Sequence, residues 1–211
     1  MEAVELARIA TLLQPYANLD LEQAGSISKY IDLISKSSRK INLTAIRDPE
    51  EMVTRHFGES FFAAAQWLAP ERRETVIDIG SGAGFPGVPL AMYSPSTTVT
   101  LVESQSKKTA FLNEVIYTLE LINASVFNGR AEQIRSKGDL ITFRAVEKFG
   151  KVLPVAGGLV RPGGKLGLMI GASQVQSAVS LLKGFAWAQP LYVPGGQARV
   201  LLGGTKMLKV D

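Results

Sequence analysis

The sequence predicts an α/β protein: a doubly wound sheet of seven strands, mostly parallel, closed by an antiparallel C-terminal hairpin and preceded by N-terminal helices. Three features carry that expectation. Apolar residues recur at helical spacing through the first 70 residues. Short apolar runs alternate with amphipathic ones from residue 74 onward, and the last two apolar runs are separated only by a turn.

Residues 2–14 place Val4, Leu6, Ile9, Leu12 and Leu13 close to a 3.6-residue period, and Pro15 closes that helix. Asp20 caps a second helix, with Gln23 at the capping-box position and Ile27, Tyr30, Ile31 and Ile34 along one face. A third starts with Asp48 at N-cap, Pro49 at N1 and Glu51 at N3, and runs through Met52, Phe57 and Phe61 to Trp67, with Pro70 ending it. Gly58 interrupts this helix and costs about 1 kcal/mol against alanine on propensity. Residues 40–46 follow no period. Strands are expected at 76–79, 99–103, 125–127, 140–143 and 165–170, with helices at 86–93, 106–121, 131–137, 151–160 and 173–183. The runs 187–193 and 199–209 are joined by Pro194-Gly195-Gly196, so they pair antiparallel; a parallel crossover needs a dozen or more residues. Five parallel strands ending in such a hairpin are the architecture of Rossmann-like class I methyltransferases. The division expected is a helical extension over 1–70 and a Rossmann-like domain over 71–211.

Gly80, Gly82, Gly84 and Gly87 crowd the exit of the first strand, where folds of this kind bind nucleotides. Residues 82–87 also satisfy G-x-G-x-x-G, a weak signal alone, which leaves an NAD-linked enzyme open. Asp78 stands just before the turn. A carboxylate there repels a pyrophosphate but suits a positively charged sulfonium, and so favours S-adenosylmethionine. Glu103 ends the second strand, placed to accept from ribose hydroxyls, and Glu132 follows the third, where an adenine would lie.

The totals exclude several classes. With no cysteine and one histidine, neither a disulfide framework nor zinc chemistry is expected. Residues 1–5 lack the basic start of a signal peptide, and no stretch approaches the roughly 18 apolar residues of a membrane span, so a soluble cytoplasmic protein is expected. The net charge of +4 is uneven: residues 151–211 hold 7 Lys/Arg against one acid, Asp211. Lys183, Arg199, Lys206 and Lys209 nonetheless read as ordinary solvated surface, because nucleic-acid affinity depends on clustering in space.

Four stretches resemble the RsmG (GidB) family of bacterial small-subunit rRNA methyltransferases. They are residues 41–49 (Ile-Asn-Leu-Thr-Ala-Ile-Arg-Asp-Pro), Arg55-His56-Phe57, residues 78–87 from Asp78 through Gly80, Ser81, Gly82, Gly84 and Phe85 to Gly87, and Arg130-Ala131-Glu132 with Arg144-Ala145-Val146. The resemblance implies methyl transfer from S-adenosyl-L-methionine to N7 of a guanosine in 16S rRNA near the decoding centre. It implies the small ribosomal subunit as partner, with a monomer favoured. By position it places cofactor contacts on Gly80, Phe85, Ala131, Glu132 and Arg144. Ser37-Ser38 depart from the family's Trp-Asn, Gly58-Glu59 from its Leu-Asp, and Phe143 from its Ser.

N7 methylation needs no general base, so His56 and Arg144 are candidates for positioning rather than proton transfer. Arg144 holds guanine O6 or a phosphate, or else pairs with Glu132 or Asp78. Arg39, Lys40, Asn42, Arg47, Arg55 and His56 are the candidate RNA contacts, Asn42 reading more readily as the cap of a turn than as a reader of a base edge. The competing readings are a methyltransferase-like module that binds RNA or a partner without turnover, and the NAD-linked enzyme.

Overall fold

The structure is a computed structural model and is described over residues 5–69, 71–144, 149–196 and 198–208. Residues 2–4, Pro70, Ala145-Val146, Lys209 and Asp211, named above, lie outside those residues. In chain order the helices and strands are α1 (Leu6–Leu13), α2 (Leu21–Ser37), α3 (Pro49–Met52), a π-helical turn (Val53–Gly58), α4 (Glu59–Trp67), β1 (Thr75–Ile79), α5 (Gly87–Tyr93), β2 (Thr98–Glu103), α6 (Ser106–Thr118), β3 (Ala124–Asn128), β4 (Gly138–Arg144), α7 (Phe149–Leu159), β5 (Val160–Gly171), α8 (Val175–Leu181), β6 (Phe185–Trp187), β7 (Leu191–Tyr192) and β8 (Arg199–Lys206).

The helix starts form where the local chemistry places them. Asp20 accepts from the Gln23 amide at 2.8 Å while Gln23 Oε1 accepts from the Asp20 amide at 3.1 Å, closing the capping box of α2. Asp48 accepts from the Glu51 amide at 2.7 Å. The helix that follows is not regular. It widens into the π turn over Val53–Gly58, and Tyr16 packs flat on Gly58, where a Cβ would stand 2.8–2.9 Å from the ring. Close approach by Tyr16 thus accounts for the glycine that propensity disfavours. The helix expected at 131–137 reduces to one 3-10 turn, Ala131–Gln133, and that expected at 173–183 starts with another at Ala172–Gln174.

The strands form one sheet in the order β3-β2-β1-β4-β5-β8-β6, with β7 also on β8. The pairs β3·β2, β2·β1, β1·β4 and β4·β5 are parallel, while β8 runs antiparallel to β5, β6 and β7. The run expected as one strand over 187–193 is split. Trp187 pairs with Gly204 and Leu191 with Leu201, leaving one residue extra around Pro190, which has no N–H for the ladder. Strand order, not strand direction, reverses between β1 and β4, the switch point of a doubly wound sheet.

One face of the sheet packs on α7 and α8 through Ile141, Phe143, Leu153, Ala156, Leu166 and Leu168. The opposite face joins α1, α2 and α4 in one apolar cluster that runs from Ile9, Leu13, Ile27 and Tyr30 through Phe57 and Phe61 to Val76, Leu140, Met169 and Leu201. Tyr30, Phe57 and Phe61 are fully buried, each contributing about 1.5–3 kcal/mol from transfer out of water. Among the described residues no helix is long and apolar enough to cross a membrane.

Candidate cofactor cleft and the arginine cluster beside it

The turn after β1 follows from its glycines. Gly80, Gly82 and Gly84 adopt φ of 68°, 59° and 93°, which residues with a Cβ rarely tolerate. At Gly84 a Cβ would collide with the Tyr30 hydroxyl, which donates to the Ala83 carbonyl and so ties α2 to the turn. Six of the turn's N–H groups are bonded within the protein. Gly80 and Ser81 donate to the Val102 carbonyl at 2.9 and 3.0 Å, Gly84 and Phe85 to Ser81, Gly82 to Glu103 Oε2 at 3.1 Å, and Gly87 to Asp78 Oδ2 at 3.1 Å.

Parallel pairing of β1 with β2 and of β2 with β3 brings three strand exits together around a cleft of about 500 Å3. Ile79, Val102, Ala131, Val152 and Val155 supply apolar walls; Gly80, Ser104 and Gly129 supply backbone; Glu103, Arg130, Glu132 and Lys151 supply charge. That size and mixture suit a small organic ligand. The Glu103 carboxylate is 6% exposed, held by the amides of Gly82 and Gln105 (2.8 Å), and borders the cleft with lone pairs to spare. Glu132 is exposed on the rim and Ala131 buried beneath it.

Of the predicted cofactor residues, Gly80, Glu103, Ala131 and Glu132 line this cleft; Asp78, Ser81, Gly82, Gly84, Phe85 and Arg144 do not. Asp78 is an internal brace rather than a ligand group. Register sets it opposite Thr142, whose hydroxyl donates to Oδ1 at 2.9 Å, while Ser81 (2.6 Å) and Gly87 (3.1 Å) donate to Oδ2. Complete burial pushes its pKa up to about 6 against the pull of those donors. Phe85 stacks between Tyr30 (centroids 5.4 Å apart) and His56 (4.8 Å), edge-on to Phe57.

His56 is held in the π turn, its Nε2 2.7 Å from Thr44 Oγ1, which also accepts from the Ile46 amide. Thr44 therefore holds the turn that Asn42 was expected to cap, and Asn42 stands exposed with Arg39, Lys40 and Arg47. Burial, followed by the cations Arg144 and Arg55, lowers the His56 pKa to about 3, so the ring is neutral.

Arg144 pairs neither with Glu132 nor with Asp78. Its Nη2 donates to the Arg55 carbonyl at 2.7 Å and to Glu59 Oε2 at 3.1 Å, and Arg199 Nε reaches Glu59 Oε1 at 2.7 Å. Sheet register explains the meeting: β4 ends with Arg144 beside Met169, and β8 begins with Arg199 opposite Gly171 at the end of β5. Arg55, Glu59, Arg144 and Arg199 border a second cavity of about 200 Å3. Arg199 is thus no idle surface cation, and Lys206 donates to the carbonyls of Gly157 and Val160 near the end of α7. Glu59 and Arg199 escaped sequence reasoning because they lie 140 residues apart and only sheet pairing joins them.

Comparison with known proteins places these features. The solved structure of a ribosomal protein L11 methylase from Lactobacillus delbrueckii subsp. bulgaricus is similar in fold at TM-score 0.62, with 13% identity over 73% of this chain and 79% of that one. A TYW2 from M. jannaschii, solved in complex with AdoMet, is similar at TM-score 0.57, with 19% identity over 71% of this chain and 75% of that one. In sequence, the ribosomal RNA small subunit methyltransferase G of Xanthomonas euvesicatoria pv. vesicatoria (strain 85-10) is 40% identical over 182 residues, 84% of each chain. Residues 23–201 match the GidB family, described as rRNA small subunit methyltransferase G. With that span and that identity, the chain belongs to the GidB family of small-subunit rRNA methyltransferases.

Proposed function

We propose that this enzyme moves the methyl group of S-adenosyl-L-methionine to N7 of a guanosine in 16S rRNA, near the decoding centre of the small ribosomal subunit. One observation carries the choice of cofactor: six N–H groups of the glycine turn are already bonded within the protein. A pyrophosphate needs such donors free. A ligand with a ribose, an adenine and no phosphate needs what this cleft offers, an acid for hydroxyl groups and apolar walls for a ring. Glu103 fits the ribose; Ala131 and Glu132 fit the adenine end; Ile79, Val102, Val152 and Val155 fit its faces.

The cofactor, when bound, supplies an electrophilic methyl group on a cationic sulfur. The chain's part is to hold both partners in line, a positioning effect that reaches roughly 7–11 kcal/mol in favourable cases. Guanine N7 carries a free lone pair, so no proton need leave it first. That agrees with His56, which is neutral, largely buried and tied to Thr44. Exposed Arg39, Lys40, Asn42 and Arg47, with Arg55 behind them, are the RNA-facing candidates on the N-terminal layer.

The test is transfer of labelled methyl to unmodified small-subunit particles, followed by nuclease digestion and mass spectrometry for 7-methylguanosine. Gly80→Asp, strained at φ 68° and intruding on the cleft, serves as the inactive control. No incorporation above that control would end the proposal. Glu103→Ala should weaken S-adenosylmethionine binding by about 10–100-fold, the loss of a charge-assisted hydrogen bond, as read by calorimetry.

A further inference from the structure

The arginine cluster is chemically unbalanced. Among the described residues, three guanidinium groups, Arg55, Arg144 and Arg199, border the second cavity with a single carboxylate, Glu59, which is buried. Glu59 is shared between Arg144 and Arg199, and the Arg55 head pairs separately with Glu51 at 3.0 Å. Two donors are left over: Arg144 Nη1 and Arg55 Nε are buried and find no hydrogen-bond partner among the described residues. An unpaired buried guanidinium N–H is costly unless a ligand meets it. The cavity opens at the exits of β4 and β5, while the cofactor cleft opens at those of β1 and β2, on the same rim of one sheet. Two strand spacings separate the two, roughly 10 Å.

We propose that Arg55, Arg144 and Arg199 form a phosphate-holding subsite for the substrate RNA, in which the Glu59 carboxylate is the counter-ion that a phosphate competes with for Arg144 and Arg199. Guanidinium forks match phosphate oxygens in pairs, and the unmet hydrogen-bonding capacity of Arg144 and Arg55 leaves the cluster short of acceptors. A backbone phosphate seated here, with its base reaching toward the cleft, fixes the register of one nucleotide against the transferred methyl. The subsite carries no base information; it positions. This deepens the rRNA reading and rests on it for the source of the phosphate.

The experiment separates an anion site from a structural ion-pair knot by asking for effects of opposite sign. Calorimetric titration of the full chain with inorganic phosphate, at saturating S-adenosylmethionine, is expected to show binding. In Arg199→Gln it should weaken by about tenfold. In Glu59→Gln, which removes the carboxylate that Arg144 and Arg199 share, it should tighten several-fold. A structural knot would make both variants bind phosphate worse, and that result, or no change in either, overturns the proposal. If Arg199→Gln does not fold, Arg199→Lys takes its place; it keeps the charge without the fork, and unaltered phosphate affinity there counts against the subsite. Phosphate should also inhibit methyl transfer competitively with RNA and not with cofactor, and Arg199→Gln should raise KM for RNA more than it lowers kcat. Inhibition that RNA cannot relieve would assign the cavity to free phosphate and overturn the RNA part. Failure of the rRNA reading is seen separately, as wild-type protein that shows the opposite-signed phosphate response but transfers no methyl to the particles.

Discussion

Asp78 is buried and His56 largely so, and both are titratable, yet they fail in opposite pH directions. Asp78 has a folded pKa raised to about 6, above the 3.8 of an unperturbed carboxyl. The folded protein therefore holds that proton more tightly than the unfolded chain, and the carboxyl's contribution to stability is complete below about pH 4 and withdrawn as pH rises through 6. A shift of that size corresponds to on the order of 3 kcal/mol. Comparing urea unfolding of wild type and Asp78→Asn at pH 4 and pH 7, the difference between them should change by on the order of 2–3 kcal/mol; parallel pH curves would refute it. His56 behaves in reverse. Its folded pKa is lowered to about 3, so stability is present above pH 6.5 and is lost as pH falls toward 3. Because it is the only histidine, its ring signals in NMR are unambiguous, and they should remain those of a neutral imidazole down to about pH 4. A ring titrating near pH 6.5 would contradict its burial.

At the scale of elements, the helix that starts at Asp48 shows how far local rules reach. Its N-terminus obeyed capping chemistry, and Asp48 bonds the Glu51 amide as expected. Its middle did not, because the wide turn over Val53–Gly58 depends on Tyr16, a residue 42 positions away from Gly58. π turns of this kind often mark functional sites, and this one presents Arg55 and His56 and leads into Glu59. Gly58→Ala should destabilise by about 1–3 kcal/mol through overpacking against Tyr16, despite better helix propensity. In a Tyr16→Ala background the same change should instead stabilise by up to about 1 kcal/mol. A double-mutant cycle by chemical unfolding checks the sign reversal. Likewise, the split of the edge strand at Pro190 was foreshadowed by proline chemistry, whereas the shrinkage of the 131–137 helix to one 3-10 turn had no local signal.

For the whole molecule, the N-terminal helices and the sheet share one apolar cluster, and Tyr30 reaches from α2 to the Ala83 carbonyl in the glycine turn. The helical layer therefore supports the cofactor cleft from behind. Tyr30→Phe keeps the ring packing and removes only that bond. It should cost about 1 kcal/mol of stability and weaken S-adenosylmethionine binding several-fold, measured by urea unfolding and calorimetry. Unchanged cofactor affinity would show that the turn holds its shape without α2. The charge distribution also reads differently at this scale. From the basic final third, Arg199 folds back to share Glu59 with Arg144, beside Arg55.

What the sequence alone determined is what local chemistry dictates: helix caps at Asp20 and Asp48, strands that end in glycine or an acid, and a turn at Gly80 that only glycine relieves. The sheet's alternation and the cleft residues Gly80, Glu103, Ala131 and Glu132 follow from those signals, because parallel strands must exit on one rim. Tertiary structure alone decided which polar groups face inward and which face the ligand. Asp78 precedes the glycines as a cofactor acid would, but the register of β1 against β4 turns it onto Thr142 and away from the cleft. Arg144, Arg199 and Glu59 became one cluster only through strand pairing and the π turn. Contacts across 85 and 140 residues leave no periodic trace in a sequence, since each partner's local environment is ordinary until the chain closes.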